Sequence, residues 1–408
     1  MKLNQKQIQV LNQPKARINV YDGSVRSGKT TIANVIWLNY CRHYKGKAPL
    51  LMFGKTERTL YRNVISNLEP IATKTGDGEY SIFDKKVHVV GANDERAYKK
   101  IAGGTYGGVL GDEWTLAPKS FTDMLFSRLS VKGAEAHLTT NPESPFHYVK
   151  TDYIDRKETI SLNHYHFLLD DNPILPEEYV NHVKSLYTGL FYKRYILGQW
   201  VAAEGAVYDM LDIDRHVVRH RDIDHKNLIR FYVGVDYGTS NATVFILLGQ
   251  HKNGEFYVID EYKHSGREKQ SKSDQQYVAD FKKWIDKRNI DGIYIDPSAK
   301  SFIVALNNAG VKRIYKANNA VVDGIRNVGS LLSNDLLYFS DNCTETIKGL
   351  SSYYWDSKAQ EKGDDKPLKE NDHEADALRY PIHSTFPKWK WILQHRTETI
   401  DRLEGAVL

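Results

Sequence analysis

The chain has 408 residues, of which 41% are hydrophobic and 26% charged, and 56 Lys and Arg against 51 Asp and Glu give a net charge of +5. This length allows two or three domains with their own cores, and the mildly basic balance permits a nucleic acid partner without requiring one. Only two cysteines occur, with neither a CxxC pair nor a His/Cys cluster, which argues against a disulfide framework or a zinc site and fits a reducing cytoplasm. The polar N-terminus argues against a signal peptide, and no apolar run reaches the roughly 20 residues that a membrane span needs.

The first half of the chain alternates between strand and helix patterns. Residues 17–22, RINVYD, indicate a short strand, and residues 30–44 indicate a helix with Ile32, Val35 and Ile36 at helical spacing. Further buried strands are predicted at residues 49–53, 87–90 and 136–140. Because helical segments lie between these strands, a mostly parallel sheet is expected.

A glycine-rich turn, GSVRSGKTT, links the first strand to the first helix with the spacing Gly23-x4-Gly28-Lys29-Thr30. A preceding strand and a following helix are the context that a phosphate-binding loop needs. Its backbone N–H groups and the helix N-terminus would face phosphate oxygens. We therefore expect Lys29 to reach the β- and γ-phosphates, Thr30 to hold Mg²⁺, and Arg26 to add charge beside the transferred phosphate. The predicted nucleotide-binding residues are Gly23, Ser24, Val25, Arg26, Ser27, Gly28, Lys29, Thr30 and Asp112.

The stretch TYGGVLGDEW supplies the two acids that such a loop requires. Asp112 is expected to hold Mg²⁺ through water, and Glu113 to polarise the attacking water as a catalytic residue. The strand before them, GGVLG, is less apolar than a buried strand should be. HLTTNP places Thr140 and Asn141 at a strand end, where they would sense the γ-phosphate. Arg58 is a candidate arginine finger, although a surface arginine on a helix is the simpler interpretation.

A second pattern of strands begins near Ile229. Three strands are predicted first, at residues 231–238, 242–250 and 255–262. Asn253-Gly254, between the second and the third, is a strong hairpin signal, so the three strands should run antiparallel. After them come a helix with one apolar face, formed by Tyr277, Phe281, Trp284 and Ile285, and strands at residues 291–297 and 311–317. Three antiparallel strands followed by alternating helices and strands are the order of the ribonuclease H fold.

Carboxylates end two of these strands. Asp236 ends the first and Asp296 ends the fourth, and in a ribonuclease H arrangement these strands are neighbours. Two adjacent carboxylates would raise one pKa unless divalent cations offset their repulsion, and two oxygen-ligated metals can clamp the reacting oxygens of a phosphodiester. The stretch KENDHEADALRY supplies a third acid, Asp376, with His373 one turn earlier to orient a water or contact the phosphate. The predicted metal ligands are Asp236, Asp296 and Asp376, and the predicted catalytic residues are these three with His373 and Glu113.

Asp372 lies four residues before Asp376, and like charges at that helical spacing repel by roughly 0.2–0.5 kcal/mol unless a cation or another partner faces them. Asp372 is therefore a further candidate ligand. The alternative is that NDHEAD is a capping sequence, with Asn371 at the N-cap and Glu374 three residues later. In that interpretation Asp372 only complements the helix dipole.

The stretch GVDYGTS around Asp236 also resembles the first phosphate-binding loop of the actin, chaperone and sugar-kinase superfamily, whose core is related to ribonuclease H. That superfamily needs a second glycine-rich phosphate loop and an adenosine loop downstream. The stretch YIDPSAK lacks such glycines, and the late HEAD sequence has no place there. A nuclease is the better interpretation.

In combination, GSVRSGKT, the DE pair, TTNP and a ribonuclease H-like region closing on HEADALRY resemble the large terminase subunit of tailed bacteriophages, to about residue 385. DNPILPEEYV and LGQWV also look like sequence of this family. The resemblance implies an α/β protein with a P-loop NTPase (ASCE-type) domain followed by a ribonuclease H-like nuclease domain. It places Lys29 on the P-loop lysine, Glu113 on the catalytic acid and Arg26 on the P-loop arginine. It also places the three acids on the metal-binding positions and His373 on the histidine before the last of them.

Four segments are expected from these patterns. The predicted boundaries are 1–200 for the P-loop ATPase domain, 201–228 for a charged linker, 229–388 for the nuclease domain and 389–408 for a C-terminal tail. The tail is amphipathic, and packing on its own domain is a simpler interpretation than docking to a partner.

The family packages DNA. The resemblance therefore implies ATP-driven translocation of double-stranded DNA into the procapsid and two-metal endonucleolytic cleavage of concatemeric DNA, with ATP, Mg²⁺ and, at the nuclease site, Mn²⁺ as cofactors. The implied partners are double-stranded DNA, a small terminase subunit, the portal protein of the procapsid and further copies of the chain in a ring. The expected location is the host cytoplasm and, transiently, the procapsid portal, but not the mature virion.

Two other hypotheses remain open from the sequence. A cellular DNA-repair or helicase-type ATPase–nuclease would separate strands, yet the sequence has one P-loop domain and no second motor domain. A module without enzymatic activity, which binds DNA or docks to a capsid, would have degenerate sites. The intact Lys29, Glu113 and three acids argue against it.

Overall fold

The computed structural model describes residues 3–69, 71–238, 242–265, 271–286, 288–370 and 372–393. The chain divides into two compact units. The first runs to Val180 and includes Leu190–Ala202 and Gln360–Asp364, whereas the second comprises Asn181–Gly189, Ala203–Ala359 and the chain from Asp365. No helix in these ranges combines the length and the apolar character that a bilayer crossing demands.

A mixed sheet of eight strands forms the centre of the first unit, within the described ranges. Its strands are β1 (Ile18–Gly23), β2 (Leu50–Gly54), β3 (Ala72–Gly76), β4 (Glu79–Ile82), β5 (Lys85–Gly91), β6 (Gly108–Gly111), β7 (Glu135–Thr139) and β8 (Leu162–Phe167). In the order β3-β4-β5-β2-β6-β7-β1-β8, the first three strands pair antiparallel and all other neighbours are parallel. β1 is buried along its whole length, as expected for a parallel strand covered on both faces.

Helices cover both faces of this sheet. They are α1 (Gln5–Asn12), α2 (Lys29–His43), α3 (Glu57–Asn63) and α4 (Lys119–Arg128). Two further helices follow β8 in the chain, α5 (Glu177–Ser185), most of which belongs to the second unit, and α6 (Gly189–Tyr195), most of which belongs to the first. Trp37 of α2 belongs to one hydrophobic core with Tyr21, and Phe121 of α4 belongs to the other with Val20. These two cores explain why successive residues of β1 are all buried. The helix predicted at 30–44 and the strands predicted at 17–22, 49–53, 87–90 and 136–140 all have counterparts here, whereas β3, β4 and β8 were not predicted.

β6 is the strand whose sequence looked too poor in apolar residues. All four of its residues are buried nevertheless, and its glycines make room for aromatic side chains. A Cβ atom at Gly111 would lie 2.4 Å from the ring of Phe53, and one at Gly108 would lie 2.5 Å from the ring of Tyr40. The apolar surface around this strand therefore comes from Val109 and Leu110 and, at the glycines, from the aromatic side chains of its neighbours.

A second mixed sheet, of seven strands, forms the centre of the other unit as far as it is described. Its strands are β9 (Val217–Val218), β10 (Leu228–Asp236), β11 (Ala242–His251), β12 (Phe256–Ser265), β13 (Gly292–Ile295), β14 (Ile314–Lys316) and β15 (Leu337–Ser340). In the order β14-β13-β10-β11-β12-β15-β9, β10, β11 and β12 run antiparallel, and β13 pairs parallel with β10. This is the strand order predicted for a ribonuclease H-like domain, with β15 and β9 added beyond β12, and the predicted α/β class is confirmed.

Besides α5, the helices assigned mainly to this unit alternate with its strands from β12 onward, apart from α7, which precedes β9. They are α7 (Ile213–His216), α8 (Asp274–Ile285), α9 (Lys300–Asn308), α10 (Val321–Ser333), α11 (Thr344–Ser351), α12 (Ser357–Gln360) and α13 (His373–Ser384). α8 contains the predicted apolar face, since Tyr277 and Phe281 are fully buried in the core of this unit.

The segment predicted as a linker, 201–228, is folded in the structure. From Ala203 onward it belongs to the second unit, where it forms α7 and the short strand β9. β9 pairs with β15 at the edge of the sheet, and the Val207 N–H group donates to the Tyr353 carbonyl at 2.8 Å. Edge pairing of two residues leaves no periodic pattern, so the strand could not be recognised from the sequence.

The beginning of the predicted C-terminal tail, 389–408, continues a helical stretch at 386–393. The Trp389 indole donates to the Ile382 carbonyl at 2.9 Å, and its ring lies edge-on to Phe256 with the centroids 5.8 Å apart. The described part of the tail thus packs on its own unit, and residues 394–408 lie outside the described residues.

α13 approaches β10 closely at Gly234. A Cβ atom at this position would lie 1.7 Å from the carbonyl oxygen of Ala377, so only a residue without a side chain allows the contact. The approach sets the first two turns of α13 beside the end of β10, where Asp236 is located. Gly234 therefore decides how closely residues from the end of the chain approach this strand.

We expect Gly234→Ala to destabilise the second unit by about 3 kcal/mol or more, because a backbone carbonyl yields less readily to overpacking than a side chain does. Gly103→Ala is the matched control, since a Cβ atom there would meet no atom within 4 Å. Urea unfolding, monitored by tryptophan fluorescence, measures the stability of both variants. Equal midpoints for the two variants would contradict the close approach.

Candidate active sites

The glycine-rich loop connects β1 to α2 in a conformation that requires glycine at two positions. Gly23 has φ = 126° and Gly28 has φ = 84°. A Cβ atom at Gly23 would lie 1.8 Å from the Phe167 carbonyl oxygen. Gly28 is the N-cap of α2 and provides no side-chain cap, so the first N–H groups of the helix are suited to bind an anion.

Lys29 is buried within this loop. Its Nζ atom donates to the Ser24 carbonyl at 2.9 Å and to Asn141 Oδ1 at 2.6 Å. Burial lowers the pKa of Lys29 to about 8, against the opposing effects of Asp112, Asp22 and Glu113. The ammonium group therefore lacks a full counter-charge at contact distance, and a phosphate would provide one.

The two predicted acids lie at the end of β6, beside Lys29. Asp112 accepts from Asn63 Nδ2 at 3.1 Å and from the Thr139 hydroxyl at 2.9 Å. Glu113 has φ = 55°, a strained conformation for a residue other than glycine. Burial raises the pKa of Glu113, and Asp112 adds to this effect while nearby cations oppose it. A carboxylate made more basic in this way is better able to accept a proton from water.

These groups surround one cavity of about 600 Å³. Its lining comprises Val25, Arg26, Ser27, Gly28, Lys29, Thr30, Thr31, Asn34, Arg62, Asn63, Asn67, Asp112, Glu113, Thr139, Thr140, Asn141, Asn172 and Leu175. Of the predicted nucleotide-binding residues, Gly23 and Ser24 are not part of this lining. The Ser24 N–H group instead donates to the Phe167 carbonyl at 2.8 Å. All the others line the cavity.

Three further residues that the sequence singled out lie near this cavity, and Arg58 is the surface arginine of the simpler interpretation. Arg58 is exposed on α3 and does not line the cavity, whereas Arg62, one turn later, does. The Thr140 hydroxyl donates to the Thr115 hydroxyl at 2.8 Å, so it is engaged within the protein. Asn141 faces Lys29 instead. The four-residue spacing from Arg58 was the one signal that could have pointed to Arg62.

In the second unit, Asp236 and Asp296 lie side by side. β10 and β13 are parallel neighbours, with Val235 opposite Ile295, and each strand leads directly into its acid. The Tyr380 hydroxyl lies 2.9 Å from Asp296 Oδ2 and 3.4 Å from Asp236 Oδ1, so one hydroxyl bridges the two carboxyl groups. Tyr380 was not among the predicted site residues, although it is four residues after Asp376 and so shares its helix face.

Asp376 lies in the first turn of α13 and joins the same group of charges. Burial raises its pKa to about 6, Arg379 opposes the shift, and Asp236 and Asp372 add to it. Arg379 is itself buried, and its Nη2 atom lies 2.7 Å from Asp376 Oδ1. One oxygen of the third predicted ligand is therefore occupied by an arginine.

His373 and Asp372 border this cluster. His373 Nδ1 lies 2.7 Å from Asp236 Oδ2, and this hydrogen bond raises the pKa of His373 against the effect of burial. Asp372 is at the N-cap of α13 without a side-chain cap bond. Glu374 is buried and forms an ion pair with Lys263 at 2.7 Å rather than a capping contact. Asn371, the predicted cap, lies outside the described residues.

The donor set of this cluster fits a divalent cation. Burial raises the pKa of Asp236, His373 opposes the shift, and the charges of Asp372 and Asp296 increase it further. Burial also acts to raise the pKa of Asp296. Hydrogen bonds to its carboxylate, of which those from Ser298 have the largest effect, outweigh burial and hold the pKa below its ordinary value. Within the described residues, the ligand atoms of Asp236, Asp296 and Asp376 do not all lie within 4.8 Å of one another, so the three acids share one end of the sheet without forming a closed ligand set. Their carboxylate oxygens are of the kind that Mg²⁺ or Mn²⁺ prefers.

Comparison with protein families matches both halves of the chain. A family model described as "Terminase large subunit, T4likevirus-type, N-terminal" matches residues 20–215. A second model, described as "Terminase RNaseH-like domain", matches residues 233–385.

Solved structures give a match over nearly the whole chain. The large terminase from a thermophilic bacteriophage is 37% identical, covers 94% of this chain and 99% of its own, and superposes with a TM-score of 0.86. The same protein in complex with ATP-gamma-S is matched at 36% identity over the same shares of the two chains, with a TM-score of 0.84. The large terminase subunit of Escherichia phage T5 is 24% identical over 222 residues, which cover 52% of this chain and 50% of that protein. This chain thus aligns with about half the length of the T5 protein.

We expect nucleotide affinity to fall as the pH rises above the lowered pKa of Lys29. Below about pH 8 the empty site already holds the protonated lysine, whereas above it binding must also take up a proton, which weakens affinity by up to about tenfold per pH unit. Titration with a fluorescent ADP analogue at several pH values measures this. Lys29→Arg stays charged and should remove most of the dependence, and an equal pH dependence in both proteins would contradict the assignment.

We expect Tyr380→Phe to weaken cation binding at the acid cluster by about 10–100-fold, because the bridging hydroxyl orients both carboxylates. Titration with Mn²⁺, followed by electron paramagnetic resonance, gives the affinity. Tyr315→Phe, on an exposed side chain of the same unit, is the control. Unchanged Mn²⁺ binding in Tyr380→Phe would show that the bridge is dispensable.

Proposed function

This chain belongs to the family of terminase large subunits, and we propose that it moves double-stranded DNA into a procapsid by ATP hydrolysis and cuts concatemeric DNA with a two-metal nuclease. The family consists of enzymes, and the chain contains both of its domain types, an ATPase domain and a ribonuclease H-like nuclease domain. The observation that carries the proposal is that each unit has its own group of reactive side chains at the end of parallel strands.

The first unit would perform ATP hydrolysis. The N–H groups of the loop and of the first turn of α2 bind the phosphates, and Lys29 neutralises the β- and γ-phosphates. Glu113 orients and polarises the attacking water. A bound Mg²⁺, held by the Thr30 hydroxyl and by Asp112, would supply further charge neutralisation. Arg62 lines the same cavity and adds a positive charge on the side of α3.

The second unit would cut the DNA backbone. Asp236, Asp296 and Asp376 are the residues that would hold divalent cations, Mg²⁺ or Mn²⁺, which supply charge stabilisation for the reacting phosphodiester oxygens. Tyr380 fixes the separation of the first two carboxylates. His373, hydrogen-bonded to Asp236 and with a raised pKa, would carry a proton beside the phosphate.

The proposed partners follow from packaging. They are double-stranded DNA, a small terminase subunit that selects the packaging site, the portal protein, and further copies of this chain in a ring on the portal. DNA contacts through the phosphate backbone would weaken steeply with salt. The proposed place of action is the host cytoplasm and, transiently, the procapsid portal, with the protein absent from the mature virion.

No observation favours a cellular repair or helicase-type ATPase–nuclease, since both family models that match the chain are terminase models. Strand separation on a forked substrate would be its signature. A packaging enzyme should instead hydrolyse ATP and cut duplex DNA without unwinding it.

We expect the two activities to separate by mutation. Lys29→Ala should reduce ATP hydrolysis by at least about a hundredfold, because it removes a charge aimed at the reacting phosphate, and should leave Mn²⁺-dependent plasmid nicking measurable. Asp236→Ala should abolish nicking and leave ATP hydrolysis measurable. Circular dichroism serves as the folding control for both variants. Loss of both activities in each variant, with folding intact, would contradict the proposal of two sites.

A further inference from the structure

Two histidines and a buried aspartate meet on one face of the first sheet. Asp22 is opposite His166 in the parallel pairing of β1 with β8, and His164 lies two residues earlier on the same face of β8. Asp22 Oδ1 lies 2.7 Å from His164 Nε2 and 2.9 Å from His166 Nδ1. None of these residues lines the nucleotide cavity described above, although the charge of Asp22 acts on the pKa of Lys29.

These three side chains lie close enough together to share one metal ion. The three ligand atoms all lie within 4.8 Å of one another, and this is the only group of three His, Cys, Asp or Glu residues in the described ranges that does so. A zinc ion binds imidazole nitrogen and carboxylate oxygen at about 2.0–2.2 Å, so tetrahedral ligand atoms around it are about 3.3–3.6 Å apart. The N–O distances of 2.7 and 2.9 Å in this cluster are those of hydrogen bonds, so both histidine side chains must move away from Asp22 Oδ1 by about half an ångström to admit the ion.

The surroundings of Asp22 also suit a ligand. Its side chain is fully buried, and the Trp200 indole donates to Oδ2 at 2.8 Å, which orients the carboxylate and leaves Oδ1 facing the histidines. Burial acts to raise the pKa of Asp22, but the hydrogen bonds from His164 and His166 outweigh it, so the carboxylate is ionised. The His166 side chain is 39% exposed, which gives a cation a route from solvent.

We propose that Asp22, His164 and His166 bind a divalent transition-metal ion of the Zn²⁺ type. Two imidazoles and one carboxylate favour such an ion over Mg²⁺, which prefers oxygen ligands alone. The site is therefore chemically distinct from the two oxygen-rich sites described above. The expectation that a zinc site is unlikely rested on the absence of a CxxC pair and of a His/Cys cluster, and this ligand set contains no cysteine.

The bound ion would join β1 to β8 at the base of the phosphate loop. Asp22 is followed directly by Gly23, and the Ser24 N–H group donates to the Phe167 carbonyl, one residue after His166. A metal bridge at this position adds a restraint that does not depend on nucleotide. The ion would thus stabilise the first unit and leave the catalytic side chains untouched.

The same three residues are also satisfied without a metal, because both imidazoles and the indole can donate to the carboxylate. His166→Gln separates the two interpretations, since the amide still donates to Asp22 but is a much weaker metal ligand. His43→Ala is the matched control, because His43 is an exposed histidine of the same unit whose Nδ1 atom lies 2.9 Å from the Asn39 carbonyl of its own helix. Asp236→Asn weakens the cation cluster of the second unit, so that binding there is not mistaken for binding at this site.

The experiment uses the full chain, free of nucleotide, with Co²⁺ as a spectroscopic probe and Zn²⁺ in thermal unfolding. We expect visible Co²⁺ absorption and a saturable rise of Tm with Zn²⁺ in the wild type, His43→Ala and Asp236→Asn. In His166→Gln we expect Co²⁺ affinity to fall at least about tenfold and the Zn²⁺ effect on Tm to disappear. His164→Gln provides a second variant with the same expected loss, should His166→Gln fold poorly.

Two results would overturn the proposal. One is a Co²⁺ spectrum and a Zn²⁺ response that are the same in wild type and His166→Gln, which would assign the cluster to hydrogen bonding alone. The other is loss of both signals in Asp236→Asn with retention in His166→Gln, which would assign the metal to the second unit. Neither result would bear on ATP hydrolysis or DNA cutting, which the variants Lys29→Ala and Asp236→Ala test separately.

Discussion

The direction of parallel β-strands determines where reactive side chains meet in both units. Strands that run the same way end at the same edge of the sheet, so residues that follow them are brought together however distant they are in sequence. In the first unit this edge collects Val25, Asp112 and Asn141, after β1, β6 and β7. In the second it collects Asp236 and Asp296, after β10 and β13. Neither site would exist if these strands ran antiparallel.

The two sites deal with buried charge in different ways. In the first, burial lowers the pKa of Lys29 although acids lie nearby, so an anionic phosphate is the group that would stabilise its charged form. In the second, acids predominate, and the compensation comes from Arg379 against Asp376 and from His373 and Tyr380 against the other carboxylates. The first site therefore favours an anion and the second favours cations.

Much of this arrangement could be predicted because its signals are contiguous or follow from strand order. The phosphate loop is a single stretch with fixed spacing, and Asp236 and Asp296 lie at the ends of strands whose order is that of ribonuclease H. The ion pair of Arg379 with Asp376, the bridge by Tyr380 and the placement of Arg62 in the cavity instead of Arg58 could not be read in this way. Each of these contacts depends on how a helix is rotated about its own axis. A rotation of a few tens of degrees would point the side chain elsewhere, and the sequence does not fix that angle.

Gly234 has a consequence for genetics. Every missense change in a glycine codon introduces a Cβ atom, and at this position that atom would collide with the Ala377 carbonyl. A random screen for loss of DNA cutting should therefore recover position 234 as often as the acids themselves. A map of such mutations would mark as catalytic a residue that contacts no substrate and whose sole contribution is the absence of a side chain.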